Sequence, residues 1–356
     1  MYLNQYKLRS KALNLINNFN PVKLAWFYLI LPNLILSLML ANNDPKYIFL
    51  TIPLLIFSFK ISKKEFTKST LLDSKEKIRA IITALIMTIF LSYIIGGLGN
   101  NIGILSAIKG GISIHQDSDW DKHYSIFNHL KEYGISQSPI GSLRYYLGFY
   151  LISIPFELIF KTGLEISVLI SLFVFIFLLF EQYGIRWEFL LVLLLMGGLE
   201  YIGNVFILPI LTGESIRGIS SGHYEWWAIN EFKMQLSSNS SVIRWVPQHG
   251  LPAWISVLLL SKIREDRTED NFFYRFSIPI LLGLFSPFAS IGIIPFIFKK
   301  EDLKLITKFN QIKFKAGYFI FLLLISATPF LYFYSPEPSN IPYGWILNNT
   351  PEGSWI

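Results

Sequence analysis

The chain has 356 residues, of which 52% are hydrophobic and 15% charged, with a formal charge of +7 and no cysteine. Soluble domains carry about 25% charged residues, so the composition argues against one. The missing cysteines exclude disulfides, zinc–thiolate sites and thiol catalysis, and the basic balance reads as the positive-inside rule, not as nucleic-acid binding.

Residues 1–23 are polar and basic, with Lys7, Arg9, Lys11 and Lys23. The first apolar block, 24–41, has no small-residue cleavage site and reads as an uncleaved helix, not a signal peptide. Further apolar blocks follow at 47–60, 81–95, 145–161, 164–180, 187–211, beyond Gln248, at 273–298 and at Ala316–Tyr334. They are poor in charge and approach the length that crosses hydrocarbon as a helix. The alternation of an outer-membrane barrel is absent, and helices satisfy their own backbone in lipid. The expected fold is all-α: a polytopic transmembrane bundle of about 11 spans, some short or re-entrant, with short amphipathic helices on its outer loops. Residues 1–356 form a single integral membrane domain in this reading, without an internal repeat.

Basic residues set the orientation. Residues 60–79 hold seven, 262–275 hold four beside four acids, and 299–315 hold six. These segments and the N-terminus should face the cytoplasm. Residues 98–143 and 212–248, the two longest loops, and the tail after Tyr334 should lie outside. An abundance of Ile, Lys and Asn suits an AT-rich bacterial genome, and hence a bacterial inner (plasma) membrane. An even number of crossings must separate the two outer loops. With 145–161 and 164–180 as two crossings, 187–211 is expected to be a re-entrant hairpin or two half-spans turning near Gly198, Glu200 and Tyr201. Residues 273–298, interrupted by Pro287 and Pro295, read as another broken pair.

The first outer loop carries Asp117, Asp119 and Asp121, followed at once by Lys122 and His123. Trp120, Tyr124, Phe127 and Leu130 fall at helical spacing, which predicts a short amphipathic helix starting near Asp119. An aspartate there would cap it, with Asp117 in the preceding turn. Crowded carboxylates raise at least one pKa towards the working pH, as a general base requires. Asp117 and Asp119 could equally hold a divalent metal ion through oxygen ligands. Lys122 and His123 suit phosphate. The plain alternative is a capped, solvated interfacial helix.

The second outer loop carries Arg217, His223, Arg244, Gln248 and His249 as candidate substrate or phosphate contacts. Trp226 and Trp227 could stack on sugar faces or form an interfacial belt. Arg244 and His249 flank Pro247 at a helix entrance, placed to fork a phosphate or merely to anchor the helix end. All five histidines, His115, His123, His129, His223 and His249, lie in or beside these two loops. Glu157, Glu165 and Glu200 lie in or beside apolar blocks; Glu165 follows Gly163 and reads as the start of a helix.

Asp119-Trp120, Lys122-His123, the downstream Leu143, Tyr145-Tyr146, Gly148 and Tyr150-Leu151, and the run Trp245-x-Pro247-Gln248-His249 resemble a group of bacterial polytopic proteins. The layout is similar to that of the GT-C glycosyltransferase superfamily, with an acidic first outer loop followed by irregular spans. Two apolar blocks, 24–41 and 47–60, precede the span leading into that loop here, whereas in many such enzymes the acidic pair follows the first span closely. The resemblance implies a polyprenyl-phosphate-linked sugar donor in the membrane lipid, a glycan, lipid or protein acceptor, and usually inversion at the anomeric carbon. It makes Asp119 or Asp117 the base and Lys122, His123, Arg244 and His249 the phosphate side. Rival readings are a non-enzymatic transporter or flippase of lipid-linked glycans, a polysaccharide polymerase or ligase, and a structural membrane subunit.

Overall fold

The computed structural model describes residues 19–64, 74–95, 118–135, 137–138, 141–142, 145–160, 163–189, 192, 242, 246–265, 270–298 and 316–334. Among them regular structure is helical apart from one antiparallel pair, Gln137–Ser138 with Gly141–Ser142. The helices are α1 (Pro21–Asn43), α2 (Thr51–Lys63), α3 (Ser74–Ile95), α4 (Ser118–Tyr133), α5 (Gly148–Phe160), α6 (Glu165–Tyr183), α7 (Pro247–Glu265), α8 (Asp270–Leu282), α9 (Pro287–Ile297) and α10 (Ala316–Tyr334).

Helix α1 begins where Asn20 Oδ1 accepts from the Val22 and Lys23 amides, with Pro21 in the first turn, where a missing N–H costs nothing. Its 23 residues make it about 34 Å long. It is the hub of the bundle, packed on α2, α5, α6, α7, α8 and α10. A 3-10 turn, Pro45–Leu50, returns the chain into α2, and Lys23 Nζ donates to Ser62 O at 2.6 Å to tie the start of α1 to the end of α2.

Ring and hydroxyl contacts fix the directions of the other helices. Phe177 stacks on Phe19 and Ser171 meets the Tyr28 hydroxyl at 2.8 Å, so α6 runs antiparallel to α1. Trp254 packs on Phe175 and Gln182 donates to Ser261 at 2.7 Å, so α7 runs parallel to α6. Lys77 of α3 and Lys262 of α7 both act on Glu181 near the end of α6, and Lys64 covers the Tyr274 ring at 3.8 Å. Together with Lys23, these lysines gather at one end of the bundle, the basic end.

Helices α8 and α9 form a hairpin turning at 283–286. Arg275 Nη1 donates to Ile297 O at 2.5 Å across its base, and Ser286 Oγ accepts from Ala289 N to cap α9. Its arms of 13 and 11 residues are about 20 and 16 Å long, short of the ~30 Å of hydrocarbon. The turn rests against the middle of α1: Asn33 Nδ2 donates to Leu281 O at 3.2 Å and Phe285 stacks on Tyr28 at 5.2 Å. Helix α5 starts at the same level, where Gly148 N donates to Leu284 O at 2.9 Å.

The broken pair expected over 273–298 is therefore this hairpin. The expected crossing at 145–161 is corrected by the same contacts. Helix α5 has 13 residues, about 20 Å, and starts halfway along α1, so it spans only part of the thickness. Counting it as a crossing was the premise for a hairpin within 187–211; most of that segment, including Glu200, lies outside the described residues.

Among the described residues three stretches, Pro21–Asn43, Pro45–Lys63 and Glu165–Tyr183, are long and apolar enough to cross a membrane. Phe59, Ile86 and Phe288 are exposed, a surface that suits lipid better than water. The close fit at the half-depth junction is testable. A Cβ at position 148 would lie 2.7 Å from Phe285 Cγ, whereas one at 292 would meet nothing within 4 Å. Gly148→Ala is expected to lose about 1–3 kcal/mol; Gly292→Ala is expected to lose no stability, as both sit in helix and Ala favours it. Thermal unfolding of both variants in detergent checks the order.

Candidate functional site

The amphipathic helix expected from Asp119 is α4, beginning at Ser118. It lies beside α5 and runs in the same direction. Near their starts His123 Nδ1 and the Tyr150 hydroxyl are 2.6 Å apart, with His123 fully buried. Near their ends Lys131 Nζ donates to Glu157 Oε1 at 2.6 Å, while Glu157 Oε2 accepts from Gly163 N at 2.8 Å. The Tyr124 hydroxyl donates to Glu165, the first residue of α6. Glu157 is thus no lone intramembrane charge: an ammonium and a backbone amide neutralise and orient it. Glu165 heads a helix as the sequence implies.

The start of α4 faces the start of α7. Tyr145 packs on Tyr146 and edge-on to Tyr150, and Tyr146 packs edge-on to the His249 ring at 5.2 Å. Lys122 is close enough for its charge to act on His249. An unbroken series therefore runs from His123 through Tyr150, Tyr145 and Tyr146 to His249. Because Gly148 lies at the half-depth junction, the cluster sits inside the bundle, level with the middle of α1. Three helices begin there, and helix starts carry unpaired N–H groups and positive potential. Lys122 adds a full charge. The place suits an anion such as phosphate.

Two residues of the first turn of α7 keep polar atoms without a partner: both Nε2 and Oε1 of the fully buried Gln248, and Nδ1 of His249. Backbone bonds hold this turn in place, Val246 O accepting from His249 N at 3.0 Å and from Gly250 N at 3.3 Å.

Of the sequence candidates, His123 and His249 end this series, Lys122 acts on His249, and Gln248 precedes His249 in the first turn of α7. Asp119 and Asp121 fall in the first turn of α4, next to this cluster along the chain; their side chains lie outside the described residues. So do Asp117, Arg217, His223, Arg244, Trp226 and Trp227. Among the described residues no group of three His, Asp or Glu side chains is placed to hold a metal. His129 lies two turns further along α4, packed on Tyr133; burial pushes its pKa below the ordinary value against the pull of Glu132. Sequence reasoning missed the Lys131–Glu157 pair and the Tyr150 partner of His123, because contacts 26 and 27 residues apart leave no local spacing signal. Comparison with family models, curated proteins and solved structures finds no match for the chain.

Two of the ties holding α4 differ in strength. His123 is buried, whereas the Lys131 side chain is 49% exposed. Tyr150→Phe takes a hydrogen-bond partner from a buried imidazole and is expected to cost about 1–3 kcal/mol. Lys131→Gln removes one partner of a half-exposed ion pair and is expected to cost about 0–1 kcal/mol. Denaturation midpoints of the two variants measure the difference.

Proposed function

We propose that the chain is a glycosyltransferase of the GT-C kind, moving a sugar from a polyprenyl-phosphate-linked donor to a glycan, lipid or protein acceptor. The observation that carries this reading is the approach of Lys122 on α4 to His249 on α7, with His123 joined to His249 through Tyr150, Tyr145 and Tyr146. In it the basic end faces the cytoplasm of a bacterial inner membrane, and loops 98–143 and 212–248 lie on the far side. The cluster then opens towards the outer loops.

The chemistry follows from the residue types. An acceptor hydroxyl loses its proton to a carboxylate among Asp117, Asp119 and Asp121 as its oxygen attacks the anomeric carbon. The bond from that carbon to the phosphate oxygen breaks, and the lipid phosphate leaves with the electron pair. Lys122 and His249 meet the phosphate, with Arg244, Arg217 and His223 as further contacts from the second loop. Cations held where negative charge grows on the leaving group lower the barrier. A divalent ion, where EDTA stops turnover, belongs on Asp117 and Asp119.

A second reading has one observation in its favour. Helices that start inside the bundle, with their positive ends around a polar cluster, are also how transporters build substrate sites. Purified protein incubated with a panel of polyprenyl-phosphate sugars and candidate acceptors separates the two. The transferase releases free polyprenyl phosphate. Replacing Asp117, Asp119 and Asp121 with Asn should cut release about 100-fold or more, the weight of a general base, with donor binding retained. Binding without release by the wild-type chain, indifferent to the three Asn changes, would leave the carrier.

A further inference from the structure

We propose that Gln248 reads a pair of neighbouring hydroxyl groups on the sugar of the donor, and does not contact its phosphate. The inference rests on the reading that the cluster receives a lipid-linked sugar. Gln248 is fully buried, and neither its amide nitrogen nor its amide oxygen has a partner. The adjacent His249 Nδ1 is also without one. Burying a carboxamide unpaired is costly, and folded proteins rarely leave both of its ends unmet. The unmet atoms define what is missing: Oε1 needs a donor, and Nε2 beside it needs an acceptor.

A phosphate diester offers acceptors only. It would satisfy Nε2 and leave Oε1 bare. A cation would satisfy Oε1 and leave Nε2 bare. Two adjacent hydroxyls do both, one donating to Oε1 and the other accepting from Nε2. Lys122, a donor with no acceptor capacity, is the complementary group for the phosphate. The Tyr145 and Tyr146 rings supply apolar walls of the kind that bind the C–H faces of a sugar, in the pattern of a ligand site with few, well-placed polar groups. The division of labour is Lys122 for charge and Gln248 for hydroxyl pattern.

The test uses purified full-length protein and three probes: a short-chain prenyl phosphate, a panel of its hexosyl derivatives, and deoxy analogues of the hexosyl derivative that binds best. Binding is measured for the wild-type chain and for Gln248→Met, an apolar side chain of similar shape. For the wild-type chain, removal of one hydroxyl of an adjacent pair should weaken binding about tenfold, while removal elsewhere does little. Gln248→Met should weaken the hexosyl probe by a similar factor, leave the bare prenyl phosphate unchanged, and no longer distinguish the deoxy analogue. Equal weakening of both probes by Gln248→Met, or of neither, overturns the proposal, as does a wild-type chain indifferent to every hydroxyl. Should the methionine variant not fold, the wild-type deoxy series decides alone. Release of lipid phosphate is scored separately. Hydroxyl-dependent binding without release removes the transferase and keeps the Gln248 role; release without hydroxyl dependence does the reverse. A wild-type chain that binds no probe removes both.

Discussion

A helix that begins away from water leaves its first N–H groups in need of partners, and in lipid none are supplied from outside. The bundle meets this constraint at the contact of Gly148 N with Leu284 O. One helix start is satisfied by the turn of a neighbouring half-length hairpin, and both rest on the middle of α1 through Asn33, Tyr28 and Phe285. Gly148 permits the approach, since any side chain there would strike the Phe285 ring. From this junction the rest follows. Helix α5 must rise from half depth, α4 must start beside it to pair His123 with Tyr150, and Tyr146 is brought against His249 at the head of α7.

Polar groups inside the bundle include satisfied and unsatisfied ones. Those between α5 and α6, where Ser153 and Ser167 meet at 2.5 Å and Ser167 donates to Phe149 O at 2.6 Å, are small-residue packing of the sort that brings helices close. They are satisfied and fill no further need. Those around Gln248 and His249 are unsatisfied and lie where helix starts, Lys122 and tyrosine rings converge. Buried polar groups without partners are expensive, and the ligand proposed for the cluster would supply partners to those of Gln248 and His249. Trp26 Nε1, Ser256 Oγ and Thr328 Oγ1 are also buried without a partner, so it is the place of Gln248 and His249, beside Lys122 and the tyrosine rings, that favours a ligand site over a structural subunit.

Long apolar runs made the fold class legible: α1, α6 and α10 match their expected blocks closely, because twenty residues without charge have few alternatives. The α4 start was legible from the spacing of Trp120, Tyr124, Phe127 and Leu130, and the broken hairpin from Pro287 and Pro295. The depth of α5 was not. Its apolar block, 145–161, has the length of a span, and only the tertiary contact of Gly148 with Leu284 reveals that it begins halfway along α1. The place of Glu157 was not legible for a related reason: its partner Lys131 sits on another helix, and hydropathy sees the charge but not the pairing. The acidic residues stand out by local crowding and by the resemblance, whereas the approach of Lys122 on α4 to His249 on α7 depends on long-range packing that no local pattern encodes.

The absence of cysteine from the chain permits a direct measurement of the central claim, that the starts of α4 and α7 meet within the bundle. Cysteines are placed in pairs at Lys122 and His249, and for comparison at His129 and His249, and each full-length variant is treated in membranes with a short bifunctional thiol reagent. The account predicts rapid linking of the 122–249 pair and little linking of the 129–249 pair, since His129 lies two turns further along α4. Linking of the second pair without the first would contradict it.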